Sequence, residues 1–122
     1  MALFRKVQVT LWADYFIQSL TDEQKLFWIY LLTNPATNLL GIYEINLKMA
    51  AFHLNKTEEK ILEMIDFFES KNKVKFSQES SEIAIKNWQK HNKNDSVKTL
   101  KNVENDLLNV KNRSLIEWIH AI

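Results

Sequence analysis

The chain has no cysteine, one proline and one glycine among its 122 residues. Without cysteine there can be no disulfide and no thiolate metal site, and the usage suits a reducing compartment, so a cytoplasmic protein is expected. A single glycine rules out a Gly-rich phosphate loop. No apolar run approaches the roughly 20 residues of a membrane span, because charges interrupt each one. The basic pair Arg5 and Lys6 stands where a signal peptide would carry one. The residues that follow alternate with polar ones and reach Asp14, so neither a leader nor a membrane partner is expected. Strong charge of one sign is also missing. The formal net charge is +1, with nine Lys/Arg against eleven Asp/Glu in residues 1–85 and seven against four in residues 86–122. That balance does not by itself announce nucleic-acid binding.

A catalytic constellation is equally hard to assemble. His53, His91 and His120 are scattered, with no pair at metal-ligand spacing. The Ser and Thr residues fall at caps and turns, where backbone hydrogen bonding accounts for them. No catalytic, cofactor or metal site is expected, and the chain reads as non-enzymatic.

Hydrophobic residues make up 46% of the chain, enough to fill the core of one domain of this length. Thr21 with Gln24 forms a capping box, Asp22 and Glu23 suit the positive end of a helix dipole, and Leu26, Phe27, Ile29, Tyr30, Leu31 and Leu32 follow as a buried helix. Pro35 ends that helix and pushes Asn34 out of helical geometry. Gly41 supplies a free backbone angle before a short strand at 42–45. Asn46 then caps a helix over 47–53, with Met49, Ala50 and Phe52 as packing residues. After a tight turn at 54–57, Thr57 caps a helix over 58–70 whose Ile61, Met64, Ile65 and Phe68 share one face. The runs 74–76 and 83–85 flank a polar segment and read as a β-hairpin.

The resulting order is helix, strand, helix, helix, strand, strand, which is that of a winged helix. The expected fold is mainly α with a small antiparallel sheet, a winged helix-turn-helix followed by a C-terminal amphipathic helix. It divides into a winged-helix domain with an N-terminal extension (1–88), a polar linker (89–96) and a C-terminal helical segment (97–122).

The residues LLTNP (31–35), GIY (41–43), the turn 54–57, and IAIKNW (83–88) with Lys90 and Asn92 together resemble the N-terminal domain of phage replication proteins of the replisome-organiser, DnaD-like kind. The likeness runs from about residue 11 to about residue 115. It implies a winged-helix domain that helps initiate DNA replication by binding DNA, by self-assembly or by contacting a helicase loader. In such proteins a further C-terminal domain commonly follows, so this chain is expected to be a fragment or a short relative.

If DNA is the partner, its phosphates must meet lysines. Around the turn, helix and wing stand Asn55, Lys56, Thr57, Lys60, Lys71, Lys73, Lys75 and Lys86, and the basic stretch 86–94 adds Lys90 and Lys93. Asn55 to Thr57 would supply any base contacts. Glu59, Glu63 and Asp66 oppose this reading, since they line the outer face of the helix that would enter a groove, and Glu79 and Glu82 place acid at the wing tip. Trp88 could stack on a base, but its position after a strand suits the core better. In the C-terminal segment Val97, Leu100, Val103, Leu107 and Val110 form an apolar stripe that must be covered. Docking on the winged-helix body and pairing with a second copy are both open, and the near-heptad spacing marks these five as a candidate homo-oligomer interface. The competing functional reading is a protein-interaction or oligomerisation scaffold with no direct DNA contact.

Overall fold

The computed structural model describes residues 3–88 and 97–121, and side chains of the C-terminal segment from residue 103 onward. A 3-10 turn at Val9–Ala13 precedes helices α1 (Tyr15–Gln18) and α2 (Asp22–Thr33). Strand β1 (Ile42–Glu44), helices α3 (Leu47–Leu54) and α4 (Glu58–Ser70), and strands β2 (Val74–Ser77) and β3 (Glu82–Ile85) follow. Helices α5 (Val97–Asn109) and α6 (Ser114–His120) close the chain. The protein is mainly α with one antiparallel three-stranded sheet, in the order β1-β3-β2.

Local chemistry sets the helix starts. Thr21 and Gln24 close the capping box reciprocally, Asn46 accepts from Met49 N–H at 3.1 Å, and Thr57 accepts from Lys60 N–H at 3.1 Å. Asn55 ends α3 in the left-handed conformation, at φ 55°.

Side chains alternate across the sheet, and each face meets its own layer. Tyr43, Ile83 and Phe76 share one row, and with Val74 and Ile85 they pack on Phe27, Leu31, Ile61, Ile65 and Phe68 of α2 and α4. Ile42 and Ala84 share the opposite face and pack with Leu40, Val110 and Leu115, beside Val103, Leu107, Ile116, Trp118 and Ile119. The C-terminal helices therefore cover the second face of the sheet. Of the residues expected as an oligomer stripe, Val110 is buried in this layer and Val103 and Leu107 pack against it, partly buried. The side chains of Val97 and Leu100, and the linker 89–96 with Lys90 and Lys93, lie outside the described residues.

Two packing expectations are corrected. Helix α3 turns the small Ala50 and Ala51 inward, leaving Phe52 79% and Met49 47% exposed, and Leu26 of α2 is also exposed. Glu82 is not at the wing tip. It lies in the central strand, 3% exposed, and grips the turn between α5 and α6. Its Oε2 accepts from Lys111 N–H at 2.9 Å, and its Oε1 accepts from Asn112 N–H at 2.8 Å and from the Ser80 hydroxyl at 2.7 Å. Lys111 pairs with Glu44 beside it.

The link holding the only Pro and Gly is built around Asn34. Its Nδ2 donates to Tyr30 O and to the Tyr43 hydroxyl, and its Oδ1 accepts from Ala36 N–H. The Tyr43 hydroxyl donates to Leu31 O at 2.7 Å, and burial pushes this phenol's pKa up. Gly41 has φ +85°, and a Cβ there would lie 2.4 Å from Cβ and Cγ of the buried Trp88. Backbone angle and space each demand glycine.

Pro35, by contrast, is exposed, and its ring only terminates a helix that Asn34 already caps. Gly41→Val should therefore lose more than about 3 kcal/mol of stability through strain and overlap. Pro35→Ala should stay within about 1 kcal/mol. Urea midpoints of the two variants check the order.

Burial alone would raise the Glu82 pKa, but Lys111 N–H, Asn112 N–H, the Ser80 hydroxyl and the Lys111 charge together hold it below the ordinary glutamate value. A carboxylate with a depressed folded pKa contributes stability that is present above its unfolded value and lost as pH falls through the folded one. Glu82→Gln should cost about 1–3 kcal/mol at neutral pH, because two backbone donors lose a charged acceptor. Melting curves should show that deficit shrinking in acid below the ordinary glutamate range.

Candidate nucleic-acid interface

The ten residues expected to contact DNA do not form one surface. Lys56 and Lys60 stand at the start of α4, and Lys71, Lys73 and Lys75 at its far end, across a helix of 13 residues, about 20 Å. Lys90 and Lys93 lie outside the described residues.

At the first end the cations are already answered. Glu23, in the first turn of α2, takes Lys56 at 2.7 Å and Lys60 at 3.3 Å. Hydrogen bonds from these two lysines hold the Glu23 carboxyl below its ordinary pKa. Asn55 and Thr57 are exposed, but their roles are the left-handed helix end and the cap described above. Between the two ends, Glu59, Glu63 and Asp66 are all exposed, at a spacing that puts them on one face. The open cleft between α2 and α4 continues this character, with Asp22, Glu23 and Glu63 around Lys60.

Lys86 is taken out of the candidate set by its geometry. Its Nζ donates to Trp118 O at 2.8 Å and Ala121 O at 2.9 Å and lies 4.6 Å from the centre of the Trp118 ring. It closes the C-terminus of α6, where carbonyls lack intrahelical partners and the dipole favours a cation. Sequence reasoning saw a basic stretch and had no signal for this contact, which joins residues 32 and 35 positions apart.

The second end is different. Lys73 Nζ lies 4.6 Å from the centre of the Phe16 ring, and Lys71 Nζ 5.7 Å from that of Phe67. Lys75 is exposed on the edge strand β2. Phe16 itself packs edge-on against Phe68 and Trp28, which anchors α1 to the core. Its neighbours Tyr15 and Trp12 point away from that core, 88% and 60% exposed. Exposed Lys71 and half-buried Lys73 near α1, with the exposed rings of Tyr15 and Trp12 on the neighbouring segment, are groups suited to nucleic acid. The N-terminal run 7–17 is rich in large apolar groups in the sequence, but nothing there reveals that Tyr15 and Trp12 stay outside.

Among the described residues, no group of three or more His, Asp or Glu side chains is placed to hold a metal, and no helix is long and apolar enough to cross a membrane. No family model, curated protein or solved structure matches the chain.

The Lys86 geometry has a measurable consequence. Lys86→Met should lower thermal stability by about 1–2 kcal/mol through the lost charged hydrogen bonds. Lys75→Met, on an exposed edge, should stay within about 0.5 kcal/mol. Equal stability of the two variants in calorimetry would contradict the capping role.

Proposed function

We propose that this chain is a non-enzymatic module of DNA-replication initiation, of the replisome-organiser, DnaD-like kind. It contacts DNA through a winged helix and assembles with further copies or with a replication partner such as a helicase loader. The observation that carries the reading is the element order helix, strand, helix, helix, strand, strand with the sheet order β1-β3-β2, which supports a winged-helix body. DNA would then meet the lysines at the end of α4 and on β2. The outer face of α4, with its three carboxylates, would be repelled by phosphates.

That repulsion also favours a second reading, an interaction scaffold with no direct DNA contact. Leu3, Phe4 and Val9 of the N-terminal segment are all exposed and would serve a protein partner in either case. Binding to single- and double-stranded DNA at two salt concentrations, run beside a mass measurement in solution, separates the two. Under the DNA reading, reversing Lys71, Lys73 and Lys75 to Glu abolishes binding and leaves the fold intact, since each lost phosphate contact also flattens the salt dependence. Binding that survives the triple reversal, or no binding by the wild type, leaves the scaffold.

A further inference from the structure

Three observations converge on the corner where α1, the end of α4 and strand β2 meet. Trp12 and Tyr15 hold their rings in solvent, on a segment pinned to the core by Leu11, Phe16 and Ile17. Lys73 lies over the Phe16 ring beside them, and Lys71 over Phe67. Both contributing segments are nearly free of acid: residues 70–78 carry three lysines and no Asp or Glu, and residues 1–13 carry Arg5 and Lys6 and none. Two carboxylates on the same elements are held by backbone, Asp14 accepting from Phe16 N–H at 2.8 Å and Glu69 from Phe76 N–H at 3.1 Å, and Phe67 also borders the acidic cleft of Glu63.

We propose that this corner binds single-stranded nucleic acid, with bases stacked on Trp12 and Tyr15 and phosphates met by Lys71 and Lys73, while Lys75, in register with Ala84, points to the sheet's other face. The proposal rests on the DNA-contact reading and narrows it to one form of the partner. A duplex hides the faces of its bases, so exposed aromatic rings gain nothing from it, whereas each unstacked base offers a face. A duplex would also need a cationic element to enter its groove, and the outer face of α4 is acidic. Rings held on an anchored segment lose little freedom on binding, and the lysines beside them add the backbone contact that makes such sites tolerant of sequence.

The test uses the whole chain and two labelled probes, a short oligothymidylate and a blunt duplex of matched length, followed by fluorescence anisotropy at low salt. The wild type should prefer the oligothymidylate. The double change Trp12→Ala with Tyr15→Ala should weaken that binding about tenfold or more, while duplex affinity stays unchanged. The double change to Phe should retain it, because a ring remains. Circular dichroism checks folding, and in the wild type bound oligothymidylate should shield tryptophan from acrylamide, since Trp12 is the most exposed of the four, with Trp118 half-buried and Trp28 and Trp88 buried. Oligothymidylate affinity unchanged in the Ala variant, or lost equally for both probes, overturns the stacking site and leaves the lysine contacts standing. A Ala variant with lower solution mass and unaltered DNA binding assigns the rings to contact between copies instead. Failure of the wild type to bind either probe removes the DNA reading itself.

Discussion

The sheet has three short strands and no free face, and the rest of the molecule follows from that. Every residue of β3 is buried, although the strand is only Glu82–Ile85 and includes a carboxylate. A central strand between two apolar layers tolerates a charge only when the charge is hydrogen-bonded. The donors for Glu82 come from the turn between α5 and α6, so the group that would penalise closure of the second layer is the one that fixes its register. The C-terminal helices are thus held by apolar cover from Val110 and Leu115 and by a directional grip at Glu82. Lys86 secures the far end of α6.

With both faces taken, only the sheet's edges stay open. Strand β2 is one of them, and Lys75 on it does what edge lysines commonly do, opposing the addition of another strand. Among the described residues no hydrogen bond or ion pair holds that lysine. Lys56, Lys60 and Lys86 look equivalent to it in the sequence and are not, since each is held by a partner distant along the chain.

That contrast marks how far the sequence could be read. Caps are local, so Thr21, Asn46 and Thr57 were legible as helix starts, and the regular spacing of Ile61, Met64, Ile65 and Phe68 named the inner face of α4. Gly41 was legible as a positive φ, but its contact with Trp88, 47 positions later, was not. The stripe at Val103, Leu107 and Val110 showed that a cover was required without saying what it covered. Phe52 and Met49 misled because α3 is short, and the close approach of two alanines to the core outweighs the size of its larger apolar side chains. The candidate site was half visible: its lysines stand together in the sequence, while Trp12 and Tyr15 are exposed because Phe16 and Ile17 are drawn into the core in their place.

The charge arrangement along α4 connects fold and function. Glu58 and Glu59 sit in the first turn, and Lys71 and Lys73 follow the last, each sign where the helix dipole stabilises it. A helix stabilised in this way presents acid at its start and along its outer face and cations at its end. An approaching polyanion would be turned away from the middle of α4 and drawn toward the end beside α1. The element that a groove-binding winged helix would offer is therefore the one this chain makes least hospitable, and the proposed nucleic-acid corner lies at the cationic end of the same helix.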